Sequence, residues 1–350
     1  MQKKWMLAMG LILFLLAGGW LMNDDKKSLA EHADRTGHYI GSAVRFEPAF
    51  QDEKYQEILL REFNHLTIEN EMKMAAIHPE KDRFSFDRTD ELIELAEEND
   101  MEIRGHTLVW GEEIPQWVYE QAVDEERTKQ VLKLHIQMLV ERYKGRVNEW
   151  DVVNEAWNDD GTFRENFWYR MMGPSYIPLA FSWASEADPE AVLYYNDYGI
   201  EKENVKAASM FNYLNKWKRE GYPIHGIGVQ AHLDAADPGI SIEEMKTNFA
   251  KWGQAGFVTA VTELDIKLQN MGEPRNERLD TQAELYGDIT AMCMKESSCQ
   301  GVTVWGAGDA ESWLISQESE KAEPLLFDDN WVEKPAYHAV KKSLFSARFK

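Results

Sequence analysis

The chain has 350 residues, 44% of them hydrophobic, and a formal net charge of −23. This length allows one large domain or two small ones, and the negative charge makes nucleic acids and anionic membranes unfavourable partners while leaving a neutral polymer unrepelled. The 13 Trp, 13 Tyr and 15 Phe predict either a large aromatic core or a groove whose rings stack on sugars.

The first residues differ from the rest of the chain. Lys3 and Lys4 precede an uncharged apolar run over residues 5–22, which is the pattern of an export signal. The run lies at the short end of what can cross a bilayer, so an uncleaved anchor is the alternative. We predict that residues 1–24 are a signal peptide or an N-terminal membrane anchor and that the protein is secreted or otherwise extracytoplasmic. Membrane contact is expected only through residues 5–22.

Residues 23–38 are polar, and we predict that they form a tether that leads into one folded domain. The domain region, counted with most of this tether, spans residues 25–350. Short apolar runs then alternate with amphipathic stretches, and eight runs predict strands at Tyr39–Val44, His65–Ile68, Glu102–Leu108, Val147–Val153, Ala191–Tyr195, Gly226–Gln230, Val258–Thr262 and Gly301–Val304. Helical patterns lie between them at Glu91–Asn99 with Asp87 as N-cap, Glu126–Lys144, Asn204–Arg219, Ile242–Trp252, Arg278–Met294 and Ala336–Ser346.

This alternation predicts an α/β fold, a single-domain (β/α)8 TIM barrel, which typically takes about 250 residues. A doubly wound open sheet is the competing fold. It would need a glycine-rich phosphate loop after the first strand, and Gly41-Ser42-Ala43-Val44 does not supply one.

Polar and aromatic side chains follow seven of the eight predicted strands. In a parallel barrel, the carboxyl ends of the strands converge on one cavity. Two β-branched runs end in carboxylates, Glu155 after Asn154 and Glu263 in Thr262-Glu263. Cleavage of a glycosidic bond requires two such carboxyl groups, one to protonate the leaving oxygen and one below the anomeric carbon.

Each of these residues also has a structural alternative. Taken singly, Asn154-Glu155 could begin a loop, His106 could be a satisfied core histidine, Lys73 could be solvated and Trp305 could be core packing. Their joint position at one rim favours a sugar-binding cleft.

Cys293 and Cys299 are the only cysteines. In an exported protein this pair suggests one local disulfide, with two buried free thiols as the alternative. No Cys/His cluster has metal-ligand spacing, so we expect neither a metal nor a cofactor.

These motifs resemble glycoside hydrolase family 10, the endo-β-1,4-xylanases, from about Gly37 to Phe345. The resemblance rests on six ordered motifs: Thr67 to Lys73, Arg104 to Trp110, Trp150 to Glu155, Gln230-Ala231-His232, Val261 to Asp265, and Trp305-Gly306 with Asp309, Ser312 and Trp313.

The resemblance implies a (β/α)8 catalytic domain that hydrolyses xylan with retention of configuration. It implies that Glu155 is the acid/base and Glu263 the nucleophile, about 5–5.5 Å apart, with the pKa of Glu155 raised. His232 and Asp265 are expected to orient the nucleophile. The remaining sugar-binding residues are expected to be Glu69, Asn70, Lys73, His106, Trp110, Asn154, Tyr198, Gln230, Trp305 and Trp313. The family often carries a disulfide at the position of Cys293 and Cys299. The expected partners are xylan and xylo-oligosaccharides, and the protein is expected to be a monomer.

Two positions depart from the family pattern. Gly111, followed by Glu112 and Glu113, stands where the family usually has His, and Leu314 stands where it usually has Arg. A related barrel glycosidase acting on another β-1,4-glycan, and a catalytically weak polysaccharide-binding protein, therefore stay open as alternatives. The intact pair of Glu155 and Glu263 argues against the second.

Overall fold

Parallel strands form the centre of the computed structural model, which describes residues 26–272, 274–316 and 322–347. Each strand from β1 to β6 pairs with the next, β1 pairs with β9, β9 with β8, and β8 with β6, so that eight strands close into a barrel. This confirms the predicted (β/α)8 architecture. The strands are β1 (Tyr39–Val44), β2 (His65–Ile68), β3 (Glu102–Val109), β4 (Glu149–Asn154), β5 (Val192–Asp197), β6 (Gly226–Val229), β7 (His232–Asp234), β8 (Val258–Lys267) and β9 (Cys299–Val304).

Helices surround this barrel. They are α1 (Leu29–Ala33), α2 (Phe46–Gln51), α3 (Glu53–Glu62), α4 (Met74–Ile77), α5 (Asp87–Glu98), α6 (Gln116–Gln121), α7 (Glu125–Arg142), α8 (Phe167–Met172), α9 (Tyr176–Ala187), α10 (Val205–Arg219), α11 (Ile242–Gln254), α12 (Arg275–Cys293) and α13 (Pro335–Ala347). Short 3-10 turns lie at Gly173–Ser175, Asp309–Glu311 and Trp313–Ser316.

The six predicted helices are present with shifted ends, but two helices of the barrel ring were missed. α3 was not recognised, and α9 is buried around most of its circumference. A helix that is apolar nearly all round shows no 3.6-residue alternation, and Pro178 adds a false break signal. The predicted N-cap at Asp87 is wrong, because Asp87 is the first helical residue and Phe86 precedes it.

The predicted strand Val258–Thr262 is only the first half of β8, which runs on to Lys267. The short strand β7 pairs with this second half, with His232 opposite Asp265. Backbone hydrogen bonds therefore continue past the barrel ring, and Glu263 and Asp265 lie within the strand rather than after it. The predicted strand Gly226–Gln230 ends one residue earlier, at Val229.

The predicted tether over residues 23–38 is wrong from Ser28 onward. Ser28 and Glu31 form a reciprocal capping box that begins α1, and Leu29 and Ala33 are buried. The backbone N–H of Leu29 donates to Glu62 Oε2 at 2.9 Å. Five residues are too few for a periodic signal, so this helix owes its stability to its packing on the barrel.

The interior of the barrel contains a polar and aromatic layer below the rim. Arg104 is fully buried. Its guanidinium lies 2.6 Å from Glu149 Oε2, 2.7 Å from Asp151 Oδ1 and 4.1 Å from the ring centre of Tyr194. A buried cation with two carboxylates and an aromatic face is fully compensated, and it fixes β3, β4 and β5 relative to one another.

Cys293 and Cys299 form the predicted disulfide, with their Cα atoms 5.3 Å apart. The bond joins the end of α12 to the start of β9, and both residues are buried.

The predicted signal or anchor over residues 1–24 lies outside the described residues. Within the part of the chain that the structure describes, none of the helices combines the length and apolarity needed to cross a bilayer.

Candidate active site

A cleft of about 900 Å³ opens at the carboxyl ends of the barrel strands. Volume alone does not identify it, because a hollow of about 920 Å³ lies elsewhere, against α1 and α13. The cleft is distinguished by its lining, which brings all of the predicted site residues together: Glu69, Asn70, Lys73, His106, Trp110, Asn154, Glu155, Tyr198, Gln230, His232, Glu263, Asp265, Trp305 and Trp313.

Glu155 follows the last residue of β4 in a left-handed backbone conformation with a φ of 56°. Its backbone N–H donates to Asn196 O at 3.0 Å, and the N–H of Ala156 donates to the Tyr195 hydroxyl at 2.8 Å. A non-glycine residue with positive φ is uncommon and persists only where its surroundings hold it. These two bonds supply that restraint and fix the direction in which the Glu155 side chain leaves the strand.

The Glu155 carboxylate is surrounded by N–H donors. Trp110 Nε1 and Arg164 Nη1 each lie 3.2 Å from Oε2. Asn154 Nδ2 and Gln230 Nε2 lie 3.2 Å and 3.0 Å from Oε1. The carboxyl group therefore has a fixed position with both oxygens engaged.

Glu263 has a different environment. Asn196 Nδ2 donates to its Oε1 at 2.6 Å, and His232 Nε2 lies 3.1 Å from its Oε2. The other ring nitrogen of His232 lies 2.9 Å from Asp265 Oδ2, which also accepts from Trp313 Nε1 at 2.7 Å. Although burial lowers the pKa of His232, Asp265 and Glu263 raise it well above its usual value. The imidazolium can then donate to both carboxylates.

Amide side chains connect the two glutamates. Asn196 Nδ2, which binds Glu263, also lies 3.0 Å from Asn154 Oδ1, and Gln230 Nε2 lies 3.2 Å from the same oxygen. Thr262 Oγ1 donates to Asn196 Oδ1 at 2.7 Å and so fixes the orientation of that amide. Both carboxyl groups thus belong to one buried hydrogen-bond network.

His106 extends this network into the barrel interior. Its Nδ1 lies 3.0 Å from Asp151 Oδ2 and 4.0 Å from Glu263 Oε1, and its ring meets Trp305 edge to face. Burial alone would raise the pKa of Asp151, but Arg104 and His106 hold it below its usual value. Asp151 therefore remains an acceptor and fixes the orientation of the His106 ring.

The side of the cleft after β2 carries further polar groups. Lys73 Nζ donates to Asn70 Oδ1 at 2.8 Å, lies 3.6 Å from Glu113 Oε1 and stands 5.2 Å from the Trp110 ring centre. Asn70 in turn donates to Glu69 Oε1 at 3.2 Å. Amides, a cation and an aromatic face at this spacing suit the hydroxyls and apolar faces of a sugar.

Of the two departures from the family pattern, Leu314 lines the cleft, and Gly111 lies between Trp110 and Glu112, which line it. A Cβ atom on Gly111 would stand 2.9 Å from Asn166 Cβ, so Asn166 occupies the space that a side chain at 111 would need. Leu314 is 4% exposed and lines the cleft, which makes that part of the wall apolar.

Three residues with close contacts to the site were missed by the sequence interpretation. Asn196 directly follows the predicted strand Ala191–Tyr195, and Asp151 lies inside β4. Arg164 lies in the loop between β4 and α8, where no periodicity or strand end marks it. Only for Asn196 did the sequence contain a usable signal.

No group of three or more His, Cys, Asp or Glu residues is arranged to hold a metal ion in the described ranges.

The model of glycosyl hydrolase family 10 matches residues 28–343. The chain is 40% identical over 312 residues to endo-1,4-beta-xylanase B of Thermotoga neapolitana, covering 89% of each chain. It is 36% identical over 357 residues to a beta-1,4-xylanase of Dictyoglomus thermophilum, covering 97% of this chain and 99% of the other.

Solved structures of xylanases are also similar to this chain. Native xylanase 10B from Thermotoga maritima superposes with a TM-score of 0.88 at 40% identity, covering 92% of this chain and 99% of that one. Xylanase 10B from Thermotoga petrophila RKU-1, in complex with xylobiose, has a TM-score of 0.88 at 39% identity, with 92% and 98% covered.

Proposed function

The chain belongs to glycosyl hydrolase family 10, and from this membership we propose that it hydrolyses internal β-1,4 bonds of xylan by a double displacement in which Glu155 is the acid/base and Glu263 the nucleophile. Its relatives named endo-1,4-beta-xylanase match over most of both chains, which supports the reaction and the substrate.

One observation carries the assignment of roles. Glu263 is hydrogen-bonded to His232, whose other ring nitrogen contacts the second carboxylate Asp265, whereas Glu155 is bonded by two amides, an indole and Arg164. A nucleophile must be ionised before the reaction begins, and a cationic His232 offers an N–H donor to a carboxylate at this position.

The reaction then has two steps. In the first, Glu263 attacks the anomeric carbon while Glu155 gives its proton to the leaving glycosidic oxygen, and the C–O bond breaks. In the second, Glu155 takes a proton from water, which attacks the same carbon and releases Glu263. Two inversions give net retention, and the expected carboxyl separation is about 5–5.5 Å.

A neutral polysaccharide suits the rest of the cleft. Trp305 and Trp313 present aromatic rings beside His232, and Lys73, Asn70 and Gln230 offer donors for hydroxyls. The related Thermotoga petrophila structure contains xylobiose, which supports xylo-oligosaccharides as ligands of this chain. A net charge of −23 does not repel an uncharged chain.

We also propose that residues 1–24 direct export, as a cleaved signal or a retained anchor. The basic start and the apolar run over residues 5–22 support this. N-terminal sequencing of the mature protein tests it, because a first residue near position 25 indicates cleavage. Intact residues 1–24 in a membrane fraction would indicate an anchor, and an intact cytoplasmic protein would contradict export.

The test of the activity is hydrolysis of unsubstituted β-1,4-xylan by the protein lacking residues 1–24, with Glu263→Ala as the control. The expected result is release of short xylo-oligomers with little free xylose, almost all of it lost in the variant. Cleavage of another β-glycan in place of xylan would keep the two carboxylate roles and change the substrate. Binding of xylan without cleavage would make Gly111 and Leu314 the residues to restore.

A further inference from the structure

A buried ion pair lies behind the proposed acid/base. Lys206 on α10 is 1% exposed, and its Nζ lies 2.9 Å from Oδ1 of Asp197, the fully buried last residue of β5. Neither side chain belongs to the lining of the cleft. Two charges are costly to bury unless they are paired, and the proposed reaction uses neither of them. The pair therefore needs a role other than contact with the sugar.

Tyr195 connects this ion pair to the end of β4. Its hydroxyl donates to Asp197 Oδ2 and accepts from the backbone N–H of Ala156 at 2.8 Å. Because a phenol has only one proton to donate and Asp197 accepts it, a lone pair of the oxygen faces the N–H. Burial, followed by the charge of Asp197, raises the pKa of Tyr195 well above its usual value, so the hydroxyl keeps its proton. The ring is fully buried and meets Trp157 edge to face.

The N–H that Tyr195 binds controls the direction of Glu155. It belongs to the peptide group that follows Glu155, so its orientation depends on the ψ angle of that residue. Glu155 has a φ of 56°, a left-handed conformation that a non-glycine residue keeps only where its surroundings hold it. The other bond at this position, from the Glu155 N–H to Asn196 O, is made by the main chain alone. The Tyr195 hydroxyl is thus the side-chain part of this restraint.

The proposed nucleophile is held by different groups. Glu263 is bonded by Asn196 Nδ2 and by His232 Nε2. Asn196 follows Tyr195 along β5, but successive side chains of a strand point to opposite sides, and the Tyr195 hydroxyl contacts neither the amide nor the imidazole. The groups that place Glu155 for proton donation are therefore separate from those that place Glu263 for attack.

We propose that Tyr195 is a positioning residue for the acid/base. Fixed by the pair of Asp197 and Lys206, its hydroxyl holds the backbone at Glu155 so that the carboxyl group meets the leaving glycosidic oxygen. This inference rests on the proposed function, since it concerns how Glu155 delivers its proton. Its consequence is that loss of the hydroxyl weakens proton donation far more than nucleophilic attack.

The experiment compares Tyr195→Phe with the parent, and Tyr143→Phe is the matched control. Tyr143 is also fully buried, its hydroxyl donates to a carboxylate, Asp90 Oδ1, at 3.0 Å, and it lies outside the cleft. Both variants therefore lose one buried phenol hydroxyl that was bonded to a carboxylate. Lys206 is not replaced, because its Nζ also lies 3.7 Å from the ring centre of Tyr198, which lines the cleft.

The measured quantity is kcat/KM on a series of aryl β-xylobiosides that differ only in the acidity of the leaving phenol. For these substrates kcat/KM covers the steps up to release of the phenol. A weakly acidic phenol needs a proton from Glu155 as it leaves, whereas a strongly acidic phenol departs as its anion. The series therefore separates proton donation from attack by Glu263.

Tyr195→Phe should lower kcat/KM about 10- to 100-fold for a weakly acidic phenol, because a misplacement of about 1 Å can cost about 10²-fold. For a strongly acidic phenol the loss should stay within about twofold, since little proton donation is needed. Xylan, whose leaving group is a sugar hydroxyl, should behave like the weakly acidic phenol. Tyr143→Phe should keep the parent's dependence on phenol acidity.

Three results would overturn the inference: an equal loss across the series in Tyr195→Phe, parent activity throughout the series in Tyr195→Phe, or the same acidity dependence in Tyr143→Phe. An equal loss is what a purely structural role would give. If Tyr195→Phe does not fold, Asp197→Asn replaces it, because an amide no longer fixes the phenol proton. A smaller loss of the same acidity dependence is then expected, and a uniform loss or no loss overturns the inference. Absence of activity in the parent would instead contradict the proposed function.

Discussion

His232 contacts the proposed nucleophile and a second carboxylate at the same time. Its two ring nitrogens lie 3.1 Å from Glu263 and 2.9 Å from Asp265. Asp265 is buried and lies two residues beyond Glu263 along β8, toward the carboxyl end of the strand. The histidine therefore conveys the charge of Asp265 to the reacting carboxylate.

We predict that Asp265→Asn lowers kcat/KM on xylan by about 10- to 100-fold, the loss expected for one charge-assisted hydrogen bond of about 1.5–3 kcal/mol. Asp265 is one of the carboxylates that raise the pKa of His232, so the variant's imidazole loses its proton at a lower pH. Activity of the variant relative to the parent should therefore fall as pH rises through neutrality.

The measurement is kcat/KM from pH 5 to 8, with Asp288→Asn on the exposed side of α12 as the control. An Asp265→Asn profile with the parent's shape and height would show that Asp265 only packs against Trp313.

At the scale of single residues, strand ends were readable from sequence and loops were not. Glu155 and Glu263 each follow a β-branched run, and that pattern placed them in the cleft where the structure has them. Arg164 has no such marker, because its contact with Glu155 depends on how the loop between β4 and α8 turns back. The left-handed φ of Glu155 was also invisible in the sequence.

The segment after β3 contains Gly111, and the space beside this glycine is filled by the N-terminus of α8. Asn166 is the N-cap of α8, with its Oδ1 accepting from the Tyr169 N–H at 3.0 Å. The same helix carries Trp168, whose Nε1 donates to Trp110 O at 2.7 Å. Gly111 lies between these two contacts and leaves room for the cap.

We predict that Gly111→Ala lowers the free energy of unfolding by about 1–2 kcal/mol, because the new methyl group would meet Asn166 Cβ at 2.9 Å and displace the cap. Activity should fall as well, since displacement of α8 reaches Trp110. Denaturant unfolding measures the first effect. Gly272→Ala is the control, because its added methyl group would meet no atom within 4 Å. Equal stability of Gly111→Ala and the parent would contradict the clash.

At the scale of elements, hydrophobic periodicity identified the helices that have one apolar face. It failed for helices that are buried nearly all round or are very short. α7 and α11 each bury one side, and both were predicted. α9 is buried nearly all round, and α1 is only five residues long, so neither shows the pattern. β8 extends past its predicted end because β7 pairs with it, and this pairing depends on tertiary structure.

Two buried histidines make the free energy of unfolding of the whole molecule depend on pH in the acidic range. His135 on α7 is fully buried, and burial, followed by the neighbouring His78, lowers its pKa to about 3. His65 on β2 is likewise lowered to about 3 by burial and by Arg104. In the unfolded chain a histidine has a pKa of about 6.5, so between these two values the unfolded state binds protons that the folded state does not.

The free energy of unfolding should therefore fall as pH decreases from about 6.5 toward 3, by up to about 1.4 kcal/mol per pH unit for each of His135 and His65. Replacement of His135 by Phe keeps an aromatic ring at the site and removes one of these protonations. Relative to the parent, His135→Phe should gain stability by about that amount per pH unit between pH 6 and 4.

Denaturant unfolding at several pH values measures this difference. His338→Gln is the control, because the His338 side chain is 61% exposed in the folded chain. A stability gap between the parent and His135→Phe that is independent of pH would show that His135 is protonated equally in both states.

The position of the short helix α1 also determines on which side of the barrel a group joined to the amino end of the domain would lie. The turn after it leads directly into the amino end of β1, and Asn64 Nδ2, just before β2, donates to Asp34 Oδ1 in that turn at 2.6 Å. The cleft lies at the opposite, carboxyl ends of the strands. A bead, carrier protein or surface joined ahead of Lys26 would therefore sit behind the barrel and leave the groove facing outward. An enzyme immobilised through its amino end would therefore keep its cleft accessible. This matters for insoluble fibres, because they cannot diffuse into a cleft that faces the support.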